Sequence, residues 1–228
     1  MSVLGEALGP LEPTKAGLTP DGRLTTEVAQ TRVLFNGVPA PLLYVSDKQI
    51  NAIVPYDLNP FLVTDAEVQV EYRGVRSHAV RVPLLTARPG FFLAPEAEQD
   101  PFGLLKRALI FNEDGTVNSK RNRARRGSII TVYLTGEGAI RPSVPDGTIL
   151  HDVLPQPLQR VVVEFGNEQD VEPVAADVVY AGGVSGAAAG LLQVNVRVPS
   201  QYVLIYESTW MSVRIGSERA STFVALKE

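Results

Sequence analysis

The sequence predicts an all-β protein made of two tandem immunoglobulin-like β-sandwich domains that arose by internal duplication. Three observations support this prediction. Short segments alternate apolar and polar residues, turn residues separate them about every 8–12 positions, and the same ordered series of segments occurs twice. The 19 Gly and 17 Pro residues are spread along the chain, as in turn-rich β proteins. Helical periodicity is weak, and its best candidate is a single turn at 100–107.

The segments of the first copy follow one another from the N-terminus. An edge segment comes first, then a strand that runs into a Gly turn, two further strands, and a closing hairpin. In order they are "VLGEALGP" (3–10), "RVLFNGVPA" (32–40), "LLYVS" (42–46), "QINAIVP" (49–55) and "VQVEYRGVRSHAVRVPL" (68–84).

The second copy repeats this order. Its segments are "VYLTGEGAIRP" (132–142), "RVVVEFGNEQDVEP" (160–173), "VVYAG" (178–182), "QVNVRVP" (193–199) and "MSVRIGSERASTFVALK" (211–227). The offset between matched segments grows from about 130 to about 144 residues. Most of this growth comes from the Gly/Ala-rich stretch "GGVSGAAAG" (182–190) of the second copy.

One strand carries the same polar residues in both copies. Its motif is formed by Gln49, Asn51 and Pro55 in the first copy and by Gln193, Asn195 and Pro199 in the second. Alternation places the intervening Val and Ile residues inward, and each Pro suits a strand end because it cannot donate to the ladder. We expect the Gln and Asn side chains to bond to neighbouring loop backbone and close one end of each sandwich. A structural motif is thereby favoured over a catalytic one.

The repeat predicts three regions. An N-terminally truncated sandwich covers 1–86, an ordered connecting segment covers 87–127, and a second sandwich covers 128–228. Within the connection, "RALIFNEDGTVN" has the pattern of a strand, an Asp-Gly turn and a second strand. The segment should be ordered because its large apolar residues require burial. These residues are Phe91, Phe92, Leu109, Ile110 and Phe111.

Composition leaves little material for catalysis. The 228 residues include no Cys and two His, so thiolate chemistry and Cys-based metal sites are excluded and a His-based zinc site is not indicated. We therefore predict that the chain is not an enzyme and needs no cofactor or metal. Hydrolysis is a remote alternative, since Ser185 lies in a sequence that only approximates a nucleophile elbow and would need His78 or His151.

Charge and hydropathy limit the partners. The net charge of −4 does not indicate nucleic-acid binding, and no apolar run reaches the 18 or so residues of a membrane span. The first residues lack the basic and apolar regions of a signal peptide. The oxygens of Asn112, Asp114 and Asn118 suggest a calcium loop, but the closing Glu is missing, which favours a plain turn.

Two groups of residues suggest carbohydrate binding as an alternative function. Trp210 and Arg214 fall on the outward side of a predicted strand, where an aromatic ring can stack on a sugar and a guanidinium can donate hydrogen bonds. A basic loop can attract acidic polysaccharide. Its residues are Lys120, Arg121, Arg123, Arg125 and Arg126. Burial of Trp210 and simple solvation of the loop are the competing interpretations.

The ordered motifs resemble an uncharacterised C-terminal domain family named for Solibacter. The resemblance is carried by "FNGVPAPLLYVSDKQINAIVPYDL", "PGFF", "FNEDGTVNS", "RRGSIITVYLTGEG", "VPDG" and "VVYAGGVSGAAAGLLQVNVRVP". It implies a position at the C-terminus of exported proteins of Acidobacteria, and hence an extracellular or cell-surface location. It supplies no catalytic residue or ligand.

The chain departs from the family pattern in two places. The family usually has a "PGxxVSIxG" lead-in, whereas this chain begins inside that strand, which suggests truncation. After "DGTVNS" the family tends to be rich in Pro, Ser and Asn, whereas this chain has "KRNRARRG". Taken together, the sequence predicts a non-catalytic module that spaces, anchors or attaches a larger polypeptide, with that polypeptide or a surface component as its partner.

Overall fold

The structure of the protein is a computed structural model that describes residues 1–58, 63–94, 106–166, 173–200 and 208–227. Every regular element in these ranges is a β-strand, which confirms the predicted all-β class. No helix long and apolar enough to cross a membrane occurs in the described part of the chain. The predicted helical turn at 100–107 lies mostly outside the described residues.

The chain forms two compact units that differ from a simple division into halves. Unit 1 consists of Met1–Thr86 together with Ser143–Val153 and Ser185–Ala189, and unit 2 contains the remaining residues. Two short segments from the second half of the sequence therefore complete the first unit. The described part of the predicted connection, 87–127, belongs to unit 2.

Unit 1 contains nine described strands in two antiparallel sheets. One sheet has the order β1-β6-β5-β2, and the other has the order β4-β3-β7-β8 with β9 also paired to β7. The strands are β1 (Ser2–Leu4), β2 (Thr14–Lys15), β3 (Thr31–Phe35), β4 (Val38–Pro39), β5 (Leu42–Val45), β6 (Gln49–Ala52), β7 (Asp65–Tyr72), β8 (Val75–Arg76) and β9 (Val80–Pro83).

The two sheets of unit 1 enclose one apolar core. Alternation along each strand directs every second side chain inward, so short strands supply enough apolar surface for a closed interior. Both sheets contribute buried residues, including Val33, Phe35, Leu42, Ile50 and Val68. Unit 1 is therefore a β-sandwich.

Unit 2 contains twelve described strands. One sheet has the order β10-β13-β19-β18 with β11 also on β13, a second has the order β12-β21-β20-β16-β17, and β14 pairs with β15. The strands are β10 (Gly90–Phe91), β11 (Ile110–Phe111), β12 (Ala124–Arg125), β13 (Ile129–Thr135), β14 (Ile140–Arg141), β15 (Gln156–Pro157), β16 (Val161–Phe165), β17 (Val174–Ala175), β18 (Asp177–Gly183), β19 (Leu192–Arg197), β20 (Ser208–Ile215) and β21 (Glu218–Lys227).

The core of unit 2 lies between its two larger sheets. Val194 and Val196 of β19 face Val213 and Ile215 of β20 across a cluster of fully buried residues. Burying each Val or Ile side chain stabilises the fold by about 1.5–3 kcal/mol relative to exposure. Unit 2 is thus a second β-sandwich, and the predicted inward set of β19 is confirmed.

The two units share their strand pairing. In unit 1 the motif strand β6 lies between β1 and β5, and in unit 2 its counterpart β19 lies between β13 and β18. A bulge interrupts the pairing of β5 with β6 and that of β18 with β19, in each case directly before a Tyr. The bulged residues are Leu43, before Tyr44, and Val179, before Tyr180. The matched sequence segments therefore occupy equivalent strands. Their origin by duplication stays a prediction.

The connecting segment fulfils part of the burial prediction. Ile110 is fully buried, and Phe91 packs against the core of unit 2, but Phe92 is 42% exposed. The prediction that Phe92 needs burial is wrong because consecutive residues of an extended chain point to opposite sides. When Phe91 faces the core, Phe92 faces solvent.

Candidate functional site

The repeated Gln and Asn residues bond to each other within the sheet. Gln49 Nε2 donates to Asn51 Oδ1 at 2.9 Å, and Gln193 Nε2 donates to Asn195 Oδ1 at the same distance. The prediction that they bond to loop backbone is wrong. Residues two apart on a strand share one face, so these side chains meet each other before they reach any loop.

A hydroxyl from the adjacent strand completes each group. Ser2 Oγ donates to Asn51 Oδ1 at 2.9 Å, and Thr131 Oγ1 donates to Asn195 Oδ1 at 3.1 Å. The two Asn oxygens thus accept equivalent pairs of bonds in the two units. Pro55 and Pro199 are buried shortly beyond the ends of the motif strands.

In unit 2, the outward face of the sheet that contains β13 and β19 carries a cavity of about 380 Å³, which we call the β13 groove. Strand β11 pairs with β13 and leads into the turn at 112–115, which forms one wall of the groove. Outward residues of β13 and β19 form the rest of its lining. The lining residues are Phe111, Asn112, Glu113, Gly115, Ile129, Thr131, Tyr133 and Gln193.

Two aromatic rings stand together in the β13 groove. The rings of Phe111 and Tyr133 meet edge to face, with centroids 5.9 Å apart and an interplanar angle of 80°. Both residues are half-buried. An edge-to-face pair is a favourable aromatic arrangement that holds both rings in fixed orientations. The two rings therefore support each other in the groove, and part of the surface of each residue stays exposed.

The turn beside the groove is fixed by buried amide groups. Asn118 is fully buried, and its Nδ2 donates to Asn112 Oδ1 at 3.0 Å and to the Ala225 carbonyl at 2.8 Å. Its Oδ1 accepts from the Ala225 N–H at 2.9 Å. Asn118 thus bonds to the edge of β21 as a backbone peptide would, and it holds the turn against the sheet.

The same bonds bear on the calcium alternative. The Asn112 and Asn118 oxygens accept the internal bonds just described, and Asp114 Oδ1 accepts from the Thr116 N–H at 3.0 Å and from its hydroxyl. These bonds to Thr116 lower the pKa of Asp114 below its usual value. In the described residues, no group of three or more His, Asp or Glu side chains is placed to hold a metal ion.

Trp210 and Arg214 lie on the same face of β20, but neither side chain is fully exposed. Trp210 pairs across the ladder with Phe223, which is buried, and Arg214 Nη1 donates to the Gly216 carbonyl at 3.2 Å. A sugar platform needs an open ring face. Half-burial of Trp210 leaves less of that face available than the sequence suggested.

The basic loop divides into exposed and engaged residues. Lys120, Arg121 and Arg125 are exposed, whereas Arg123 and Arg126 are half-buried. Arg123 Nε donates to the Lys120 carbonyl at 2.8 Å. The Arg126 N–H donates to the Lys227 carbonyl at 3.1 Å.

Lys227 extends the exposed basic surface. Strand β12 pairs in parallel with β21, which places Arg125 beside the exposed Lys227. The sequence did not indicate this neighbour because the two residues are about 100 positions apart and nothing local predicts a parallel pairing.

Ser185 and His151 come together in unit 1, but not as a catalytic pair. The Ser185 hydroxyl donates to the main-chain carbonyl of His151 at 3.4 Å, so the imidazole is not its acceptor. A cavity of about 500 Å³ beside His151 also contains Asp21, whose carboxylate is bonded to Thr19 and Arg23. His78 lies elsewhere, in the hairpin region of β7 to β9, and is exposed.

The sequence did not predict the β13 groove. Gln193 was assigned to the structural motif alone, and Phe111 was expected to be buried. The alternation of Thr131 and Tyr133 was visible, but the pairing of β11 with β13 depends on a long-range contact that no local pattern encodes.

Comparisons with family models and with curated proteins returned no match.

Proposed function

We propose that the chain is a non-catalytic accessory module of an exported protein, in which two β-sandwiches space, anchor or attach the polypeptide to which they belong. The observation that carries this proposal is the use of the repeated motif. In both units the Gln and Asn side chains bond to each other and to a neighbouring strand, which is a structural use of the most prominent polar residues. The location rests on the resemblance to the Solibacter-type family.

The candidate nucleophile also supports a non-catalytic role. The Ser185 hydroxyl is directed to a main-chain carbonyl, and the Asp21 carboxylate is held by Thr19 and Arg23. A Ser-His-Asp arrangement requires the hydroxyl to bond to the imidazole and the imidazole to bond to the carboxylate. The geometry around His151 offers neither bond.

An activity screen and a localisation measurement test the proposal. With ester, glycoside and phosphomonoester substrates, we expect the purified chain to give the same rates as a variant that combines Ser185→Ala, His151→Ala and His78→Ala. Turnover that one of these substitutions abolishes would overturn the non-catalytic assignment. In fractionated source cells, an antibody against the chain should detect it in the surface or secreted fraction. Detection in the cytosol alone would reject the exported location.

Binding of acidic polysaccharide is a second candidate function. Lys120, Arg121, Arg125 and Lys227 are exposed, and the last two are neighbours in one ladder. Such a contact depends on screening, so binding should weaken steeply between low and high salt concentration. Binding that salt does not affect would argue against this surface.

A further inference from the structure

We propose that the β13 groove is a binding site for a neutral saccharide. The inference goes beyond the accessory role and does not depend on it, since a module can bind a sugar whether or not it spaces another domain. It also differs from the two carbohydrate surfaces that the sequence suggested, because neither Trp210 nor the basic loop lines the groove.

The aromatic wall provides the apolar part of the site. Phe111 and Tyr133 both line the cavity and are half-buried, so each presents ring surface that the core does not use. A sugar ring has one face rich in C–H groups, which packs on an aromatic face, and its hydroxyls remain at the rim. The edge-to-face contact fixes the rings before any ligand arrives.

The polar groups of the groove suit hydroxyl donors. Glu113 is exposed and presents a carboxylate acceptor, and Tyr133 presents a hydroxyl. In the bonds among described residues, Gln193 donates through Nε2 to Asn195 and its carbonyl oxygen accepts no bond, so this lining residue has an acceptor left for a ligand. This acceptor-rich lining matches a ligand that carries many O–H groups.

The charge of the lining excludes acidic sugars. Among the eight lining residues, Glu113 alone carries a formal charge, and it is negative. A carboxylate in the site repels uronate or sulfate groups, because bringing like charges together costs free energy. The acidic polymers that the basic loop would attract are therefore poor ligands for the groove.

The supporting shell indicates that the site is preorganised. Glu113 belongs to the turn that Asn112 and Asn118 fix against β21, and Gln193 is held by Asn195, which Thr131 also contacts. Binding residues that are already held in place lose little conformational entropy when a ligand binds.

Unit 1 provides an internal comparison. Its equivalent face has the same bonded group of Ser2, Gln49 and Asn51, so this group is common to both units. The position that matches Tyr133 is Leu4, because each residue pairs with the Gln of its motif strand. The aromatic pair and its hairpin are therefore additions that unit 2 makes to a shared framework.

Isothermal titration with the full chain tests the proposal. The neutral probes are pentaoses of β-1,4-linked glucose, β-1,4-linked xylose and α-1,4-linked glucose, and the charged probes are polygalacturonate and choline. We expect saturable binding of at least one neutral pentaose. Tyr133→Leu, which introduces the residue that unit 1 has, should weaken it about tenfold, and Glu113→Gln should weaken it less.

A matched pair of variants separates binding from stability. Gln193→Ala and Gln49→Ala remove the same hydrogen bond from the two units, so both should lower the stability of their unit by about 0.5–1.5 kcal/mol. Only Gln193→Ala should weaken saccharide binding, by about fivefold or more. Equal affinities in the two variants would overturn the proposal.

Several other outcomes would also overturn it. These are the absence of saturable binding of every neutral probe up to about 10 mM, binding of polygalacturonate or choline alone, and loss of saccharide binding in Trp210→Ala with normal binding in Tyr133→Leu. Binding of choline alone would assign the aromatic wall to a cationic ligand, and loss in Trp210→Ala would return the sugar site to β20.

Discussion

Asp146 shows how one residue from the second half of the chain affects the first unit. Its Oδ1 accepts a hydrogen bond from the Tyr56 N–H at 2.9 Å, and both residues belong to unit 1. Partial burial raises the pKa of Asp146 above its ordinary value of 3.8, the bond from Tyr56 opposes this shift, and the charge of Asp57 adds to it. Relative to the unfolded chain, the folded protein therefore favours the protonated form of the Asp146 carboxyl group.

This shift predicts a pH effect of defined sign. Because the folded state holds the proton to a higher pH than the unfolded chain does, the contribution of Asp146 to the free energy of unfolding falls as pH rises above 3.8. Asp146→Asn keeps an acceptor for the Tyr56 N–H and removes the charge. It should raise the stability of unit 1 at pH 7 by less than about 1 kcal/mol, because solvent screens a half-exposed group.

Urea unfolding at pH 7 and at pH 3 measures this effect. The gain from Asp146→Asn should be present at pH 7 and absent at pH 3. At pH 3 the Asp146 carboxyl group of the unsubstituted protein is protonated in both the folded and the unfolded state. Asp152→Asn is the control, since it removes an exposed carboxylate from the same segment. A variant less stable than the native protein at pH 7 would contradict the assigned sign.

At the scale of elements, a side chain bonds to the edge of β21 that does not pair with β20. Asn118 bonds to both the N–H and the carbonyl of Ala225, next to the point where β12 begins to pair with the same strand. Its side-chain amide thereby continues the ladder before the backbone of β12 takes over. The hairpin that walls the β13 groove depends on this contact.

Asn118→Ala should therefore be strongly destabilising. The substitution leaves the buried N–H and carbonyl of Ala225 without these partners, and each unsatisfied buried group costs about 1–3 kcal/mol. We expect a loss of about 3 kcal/mol in the free energy of unfolding of unit 2, measured from the urea midpoint at constant slope. Asn122→Ala, in a half-buried residue of the same loop, should cost less than half as much. Equal losses would show that burial of Asn118 has no special effect.

The sequence predicted strands better than the contacts between them. Alternation correctly placed Val194, Val196 and Val198 inward, because period two follows from strand geometry alone. The same geometry implies that Gln193 and Asn195 share a face, and their mutual bond could have been predicted from it. The role of Asn118 could not, because it depends on Ala225, which is 107 positions away.

The candidate site follows the same division. Alternation is sufficient to place Thr131 and Tyr133 on one face of a strand. The groove appears only when β11 is laid beside β13, and this pairing is set by the packing of the whole unit. Which strands pair with each other is therefore the feature of the site that a single sequence does not predict.

At the scale of the whole molecule, unit 1 combines a local core with distant supports. Its buried apolar cluster comes entirely from 1–86. The Leu24 N–H, however, donates to the Gly147 carbonyl at 2.9 Å, and the backbone of Arg23 forms an antiparallel β-bridge with that of Thr148. The sandwich interior can thus form without the later segments, whereas the loop around Leu24 cannot complete its hydrogen bonds.

A fragment of residues 1–86 should show this difference by amide hydrogen exchange. We expect it to retain a β-sheet circular dichroism spectrum and the protection of Ala40, whose N–H donates to the Val33 carbonyl inside the fragment. Leu24 should lose its protection, because its acceptor belongs to 143–153. Equal protection of Leu24 in the fragment and in the full chain would show that the later segments do not support this loop.

The composition of unit 1 also has a consequence for biosynthesis. When residue 86 leaves the ribosome, the interior of the first sandwich is available, but 143–153 and 185–189 have not been made. A further 103 residues, from 87 to 189, must be added, which takes about 5–20 s at a synthesis rate of about 5–20 residues per second. During that interval the nascent chain has all the residues of the core cluster but lacks the segments that complete the loop around Leu24, and chaperones and proteases can reach that loop. The first unit to begin folding is completed only when most of the second unit has been translated.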